Sequence, residues 1–394
     1  MQNELPPLLP QSDSASAAHS AKVAAFIRDQ IEAAGGSISF AEYMQHALYA
    51  PGLGYYTAGS TKFGEAGDFV TAPEVSPVFG GVLARQCAEV LAPIENGEIL
   101  EYGAGSGRLA VDVLAALRRL DALPSAYRIL EVSADLRERQ EALLRQHVPD
   151  LMPLVTWLDS PPVGLRGVIL ANEVLDALPV ERFVRRATDI MQQRVEMAGQ
   201  DFRFTEGLAP SHLGGTVEAI EGELGTRFPD GYTSEVCLAA PGWIQDLSGA
   251  MQEGVAFLLD YGVSRREYYA VERSDGWLRC HFRHHAHNDP LVKPGIQDLT
   301  AWVDFTSVAE AAVAAGFEIC GYSAQAQFLM AGGLDAEMRD FREMTLERQL
   351  ALSGQVKTLT LPGEMGEHFK CMALQKGATA MPSGFGLADR THTL

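Results

Sequence analysis

Residues Ile99–Leu109 read Ile-Leu-Glu-Tyr-Gly-Ala-Gly-Ser-Gly-Arg-Leu, an apolar strand end running into a glycine loop introduced by a carboxylate. Gly103, Gly105 and Gly107 can take positive φ and let a ligand approach the backbone closely. Behind them Leu109, Val113, Ala116 and Leu120 recur at helical spacing, which predicts a helix directly after the loop. A dinucleotide fingerprint would need a third glycine where this chain has Arg108, and it would bring a pyrophosphate to the helix N-terminus near Glu101. A carboxylate repels that anion and attracts an ammonium or a sulfonium instead. The loop therefore points to S-adenosylmethionine (SAM) rather than to a phosphorylated dinucleotide.

Two more segments end at what should be the same sheet edge. The stretch Arg-Ile-Leu-Glu-Val-Ser places Glu131 at a strand end 24 residues after Gly107, a spacing that fits one β-α-β unit. An acid there bonds ribose hydroxyls, since ligands of open α/β sheets bind outside the carboxyl ends of the strands; the plainer alternative is a surface or capping acid ahead of the next helix. Val168–Pro179 reads Val-Ile-Leu-Ala-Asn-Glu-Val-Leu-Asp-Ala-Leu-Pro, with Asn172, Glu173 and Asp176 beyond an apolar strand. If the chain turns helical there, Glu173 and Asp176 share a face and could clamp a guanidinium in a planar fashion. Equally, Asn172 could cap a helix whose acids favour the positive end of its dipole. Gly67-Asp68-Phe69 and Thr71-Ala72-Pro73-Glu74 could fold back as a lid, or form an ordinary turn into a helix.

From residue 97 strands and helices alternate, the signature of an α/β protein with a mostly parallel sheet. Candidate strands are Glu98–Tyr102, Tyr127–Val132, Val168–Ala171, Val255–Tyr261, Phe317–Tyr322 and Phe369–Ala373, with helices at Ala134–Gln146 and Thr306–Ala315. The rhythm breaks between Val180 and Tyr232, where Phe183–Arg186, Gln193–Met197 and Asp201–Phe204 read as short antiparallel strands. Upstream, Ala21–Ala33 has helical spacing, Ser39-x-x-Glu42 is a capping-box signature opening a helix through Leu48, and Glu74–Leu91 is helical again.

Composition narrows the partners. With 31 Lys and Arg against 51 Asp and Glu, the 394-residue chain carries a formal charge of −20 and shows no basic patch, which argues against nucleic acid and anionic membranes and allows a cationic protein segment. Five scattered cysteines without a C-x-x-C pair suggest reduced thiols in a cytoplasmic protein. No secretory signal, transit peptide or membrane span is expected. His281, His284, His285 and His287 crowd one segment. They lack H-E-x-x-H spacing and a cysteine pair, so no metal is expected; peptide contact or a proton relay fits better, because histidine titrates near neutrality.

Taken together, Phe40-Ala-Glu-Tyr-Met, Tyr49-x-Pro-Gly-x-Gly-Tyr-Tyr, Gly67-Asp-Phe-x-Thr-Ala-Pro-Glu, Glu101-x-Gly-x-Gly-x-Gly, Glu131-Val-Ser-x-x-Leu-Arg-x-x-Gln, Ala171-Asn-Glu-x-x-Asp-Ala-Leu-Pro-Val and Leu259-Asp-Tyr-Gly resemble the MidA family of SAM-dependent class I methyltransferases. The resemblance runs from about residue 20 to 375. It implies a Rossmann-like seven-stranded sheet with an N-terminal helical extension and an antiparallel insertion after the fourth strand. In the mitochondrial relative it implies symmetric dimethylation of an arginine on a respiratory complex I subunit. Carried across, Glu101, Gly103, Gly105 and Gly107 form the cofactor loop, Glu131 holds the ribose, and Asn172, grouped with the cofactor-binding residues, lies with Glu173 and Asp176 near the acceptor. Ala104-Gly105-Ser106 departs from relatives that carry a proline in the loop.

The resulting expectation is a protein methyltransferase acting on an accessible arginine, with Glu173 as principal clamp, Asp176 as its helper and Asp68 as a weaker candidate for proton release. A small-molecule methyltransferase and a non-catalytic SAM-binding assembly factor are the rivals; a homo-oligomer is compatible with the sequence. The expected division is 1–18 as a flexible tail, 19–96 as a helical and lid region, 97–180 and 236–380 as the two parts of a methyltransferase domain, 181–235 as an inserted β-rich substrate region, and 381–394 as a C-terminal tail.

Overall fold

A computed structural model describes residues 9–58, 71–377 and 380–394. The chain divides into two units, each interrupted in sequence: one comprises Met1–Phe69, Asp176–Ala240 and Arg265–Trp302, the other Val70–Leu175, Pro241–Ser264 and Val303–Leu394. This division cuts across the expected linear one, because the first unit draws on three separate stretches of chain.

The second unit is organised around a mixed sheet. Its strands follow the order Glu318–Ala324, Phe369–Lys376, Met251–Val263, Leu165–Asn172, Glu98–Tyr102, Tyr127–Leu130, Val155–Leu158, with the two-residue Val303–Asp304 beside Met251–Val263. Only Phe369–Lys376 on that seven-strand path runs antiparallel to its neighbours. The apolar runs at Val168–Leu170 and Val255–Leu259 are buried, as central parallel strands covered on both faces require. Phe79, Val82 and Leu83 of helix Pro77–Leu91 and Leu109, Val113 and Leu117 of helix Arg108–Arg119 pack in the same core as Ile99, Ile129 and Phe257. From Glu98–Tyr102 the chain steps to one side through two strands and then returns to the other side with Leu165–Asn172. That reversal is the topological switch point at which open α/β sheets bind ligands.

Several details differ from the sequence reading. Val155–Leu158 is an additional edge strand, too short to show a period and preceded by a 3-10 turn over Pro149–Leu154. The helical stretch at Glu74–Leu91 is two helices, Ala72–Val75 and Pro77–Leu91, because Ser76 before Pro77 is extended at φ −159°. Residues 1–18 are not all tail: a helix runs Ser14–Ala33, started by Asp13, whose carboxylate accepts from Ser16 N at 2.9 Å.

Residues 381–394 are not a tail either. Phe385 is 5% exposed and its ring lies 5.3 Å from that of Phe328. Gly321 makes room for it, since a Cβ there would fall 2.2 Å from Phe385 Cγ. Gly384 N donates to Gln86 Oε1 at 2.7 Å, Tyr322 N donates to Asp389 Oδ1 at 3.1 Å and Arg390 N donates to Tyr322 O at 2.6 Å. The segment thereby covers the open edge of strand Glu318–Ala324, which would otherwise invite pairing with another chain. Phe385→Ala should lower the unfolding free energy in urea by about 3–5 kcal/mol; an unchanged midpoint would show that the segment is dispensable.

In the first unit, Asp189–Ala198 pairs antiparallel with Glu181–Arg186, Asp201–Leu208 and Ser37–Ser39, and Thr233–Val236 continues the sheet beyond Glu181–Arg186. The three expected insertion strands are present, and Ser37–Ser39 joins them from the N-terminal region. Helix Phe40–Tyr49 opens with the expected capping box between Ser39 and Glu42. Val23, Ile27 and Ile31 of Ser14–Ala33 and Phe40, Tyr43 and Met44 of Phe40–Tyr49 share a core with Val195. Strands His285–His287, Leu278–Phe282 and Asp298–Ala301 make a small third sheet. All five cysteines are free. Among the described residues no helix is long and apolar enough to cross a membrane.

Candidate cofactor and active site

The glycine loop has the backbone that its sequence calls for. Gly103, Gly105 and Gly107 lie at φ 61°, 55° and 87°, a region that L side chains enter only with strain. Gly107 is the N-cap of helix Arg108–Arg119 and has no side chain to offer as a cap, so the first N–H groups of this helix face the loop. Ser106 Oγ donates to the Glu74 carboxylate, which brings the residue after Thr71-Ala72-Pro73 to the loop.

Glu101 shares the face of Ile99 and is 2% exposed, and one of its oxygens accepts from Tyr127 OH at 2.6 Å. Burial raises its pKa to about 7, opposed by the Tyr127 bond and reinforced by the negative charge of Glu131. Near neutrality this group therefore exchanges its proton rather than standing as the permanent charge read from sequence.

Glu131 lies one residue beyond strand Tyr127–Leu130 and is buried. Its Oε1 accepts from Ser133 N at 3.0 Å and its Oε2 from Gln140 Nε2 at 3.1 Å. Burial raises its pKa too, and the hydrogen bonds of Ser133 and Gln140 oppose that shift. Beside it Val132 is 72% exposed, an apolar side chain at the sheet edge that periodicity alone gave no reason to single out. Gln140 was legible only as part of a motif; nothing in the sequence assigned it a partner.

The segment after Asn172 does not become a helix. Glu173 is left-handed at φ 53° and its N–H donates to Leu259 O at 2.9 Å. Neither the shared helical face of Glu173 and Asp176 nor a helix capped by Asn172 exists. Instead Asn172 Nδ2 donates to Glu173 Oε1 at 3.1 Å. Buried Asp260, from Leu259-Asp-Tyr-Gly, accepts from Leu175 N at 2.9 Å and from Tyr261 N at 2.8 Å and so pins the turn. The turn packs on the glycine loop: a Cβ at Gly103 would come 3.5 Å from Val174 Cγ2. Asp176 is the first residue of a segment belonging to the other unit, where it is buried and its carbonyl accepts from Ala301 N at 2.9 Å. Asp68 lies outside the described residues.

The histidine run is a β-hairpin in the first unit. Its turn residues Arg283 and His284 have φ 49° and 62°. Burial and the neighbouring His287 and Arg279 push His281 down to about 4, so it does not titrate near neutrality as a relay would require.

Residues 82–323 match the family described as S-adenosyl-L-methionine-dependent methyltransferase. A Burkholderia thailandensis crystal structure bound to S-adenosyl-homocysteine has 37% sequence identity and a TM-score of 0.93, covering 98% of this chain and 100% of that one. The chain is 30% identical to the Drosophila melanogaster mitochondrial protein arginine methyltransferase NDUFAF7 homolog, over 88% of this chain and 83% of the relative. It is 31% identical to Homo sapiens mitochondrial protein arginine methyltransferase NDUFAF7, over 86% and 80%. The chain belongs to this methyltransferase family.

It is therefore an enzyme of the SAM-dependent methyltransferase class, and SAM is its cofactor. The chemistry of the residues present fits that group. Among the described residues the buried Asn172 Oδ1 has no hydrogen-bond partner, and a buried acceptor is costly unless something donates to it. It stands at the end of the strand next to the one that carries the glycine loop, together with two buried carboxylates and a loop open to close approach.

Proposed function

We propose that this methyltransferase modifies an arginine guanidino nitrogen of a protein substrate, with Glu173 as the principal acceptor-holding group. The observation that carries this reading is the backbone of Glu173. A bulky residue that is not glycine, held at φ 53°, costs about 1–3 kcal/mol and persists where the surroundings impose it, commonly at a functional site. Its carboxylate is tied to Asn172, the last residue of the strand next to the one that carries the glycine loop. The arginine methyltransferase names carried by relatives at 30–31% identity support the same substrate class.

In this reading Gly103, Gly105, Gly107, Glu101, Glu131 and Asn172 hold the cofactor. When bound, SAM supplies a methyl group on a positively charged sulfur. Guanidinium is protonated at all working pH and its lone pairs are delocalised. The Glu173 carboxylate accepts from its N–H groups, draws positive charge away from the reacting nitrogen and holds that nitrogen in line with the methyl. Nitrogen–carbon bond formation accompanies carbon–sulfur cleavage, and the nitrogen then loses one proton. Asp68 is the candidate for accepting that proton. A respiratory complex I subunit is the candidate substrate carried over from the family resemblance.

Incubation of the full chain with methyl-labelled SAM and host extract, followed by mass spectrometry, tests the assignment. Label on an arginine side chain of a protein is the expected result. Label in small molecules or nucleic acid overturns the substrate class. Measurable SAM binding with no labelled product would leave an assembly factor that uses SAM as a structural ligand.

A further inference from the structure

The carboxamide of Gln140 makes three hydrogen bonds that use both of its N–H donors and one acceptor position of its oxygen. Nε2 donates to Glu131 Oε2 at 3.1 Å and to Gly105 O at 3.0 Å, and Oε1 accepts from Trp157 Nε1 at 2.8 Å. An indole N–H can only donate, so it fixes the oxygen end of the amide toward Trp157. Both amide hydrogens must then point at the ribose-side acid and the glycine loop. Turned around, the amide would set its oxygen against a carboxylate and a carbonyl while its NH₂ faced the indole N–H. Gln140 is 0% exposed, so water is not at hand to repair that loss. Its helix also presses on the loop, since a Cβ at Gly107 would come within 3.1 Å of Gln140 Cα.

We propose that Trp157 and Gln140 form a positioning pair for the cofactor: the indole on the edge strand orients the amide, and the amide locks the Glu131 carboxylate to the Gly105 carbonyl. The spacing between the acid and the loop is thereby set before the cofactor arrives, which lowers the ordering cost of binding. Trp157 stands opposite Ile129 in the parallel register of Val155–Leu158 with Tyr127–Leu130. A strand that adds little else to the site thus influences it through one N–H. The proposal rests on the reading of Glu131 as the ribose-holding acid.

The full chain is titrated calorimetrically with S-adenosyl-homocysteine and with its 2′,3′-dideoxy analogue, which lacks the ribose hydroxyls. Trp157→Phe, which removes the N–H and keeps an aromatic ring, and Gln140→Leu should each weaken S-adenosyl-homocysteine about five- to tenfold, the worth of one buried hydrogen bond. Both should leave the dideoxy analogue nearly unaffected. The double variant should be no weaker than Gln140→Leu alone, because the two act as one unit. If Gln140→Leu fails to fold, Trp157→Phe carries the test. Glu131→Gln separates the two layers: a loss there with wild-type affinity in Trp157→Phe overturns the positioning pair and keeps the ribose reading. No loss in Glu131→Gln overturns both. An equal loss for the two ligands in Trp157→Phe marks a general packing effect and overturns the proposal.

Discussion

Glu173→Gln should lower kcat for methylation of an arginine substrate by about 10²–10³-fold, the usual cost of removing one group that stabilises charge in the transition state. S-adenosyl-homocysteine affinity should stay within about twofold, because the side chain keeps its shape and its contact with Asn172 while losing only charge. A kcat that does not move sinks the clamp assignment. A parallel fall in kcat and ligand affinity would make Glu173 a cofactor-holding residue instead. The left-handed backbone at φ 53° provides a second check. Glu173→Gly removes the side chain and the strain together, so the thermal midpoint should hold or rise, by up to about 1–2 kcal/mol in stability, while activity is lost. That opposition between stability and activity distinguishes a functional strain from a structural one.

SAM binding should strengthen with pH, about tenfold per unit below about pH 7, and level off above it. The cause is Glu101, raised to about 7 by burial, with Tyr127, Glu131 and Cys87 the titratable groups around it. A cationic ligand favours the ionised carboxylate, so binding must expel its proton wherever the free protein still holds it. Glu101→Gln should abolish this slope and weaken SAM roughly 10–100-fold at about pH 8, the range for a hydrogen bond to a charged group. Folding should respond in the opposite sense. An acid whose folded pKa is raised makes the fold progressively less stable as pH climbs from its ordinary value of 4.5 to about 7, with no further change above. The Gln variant escapes that loss, so weaker binding accompanied by equal or greater stability at pH 8 assigns the effect to the site. A flat pH profile in the native chain would remove Glu101 from cofactor recognition.

How far each part of the molecule could be read follows from the range of the interactions that make it. The glycine loop, the helix behind it, the capping box at Ser39 and Glu42 and most central strands are local matters, set by φ preferences, side-chain period and neighbouring hydrogen bonds within a few residues. Periodicity and spacing therefore expressed them directly, down to the three positive-φ glycines. Glu131 was legible for the same reason, since one β-α-β unit fixes its place relative to Gly107.

Other features depend on chain segments that meet only after folding. Nothing near Glu173 signals that its turn will be tied to Leu259 and Asp260, so a helical face was an admissible reading until those bonds ruled it out. Phe385 looked like part of a tail because its pocket is made by Phe328 and Gly321, more than fifty residues upstream. Ser37–Ser39 is paired by residues 194–196, and Gln140 receives its orientation from Trp157. The chain alone dictated a SAM-type loop on an α/β sheet, because that chemistry is written in consecutive residues. The left-handed turn at Glu173, the raised pKa of Glu101 and the amide that joins Glu131 to the loop were decided by tertiary structure, because burial and long-range hydrogen bonds exist only once distant strands lie side by side.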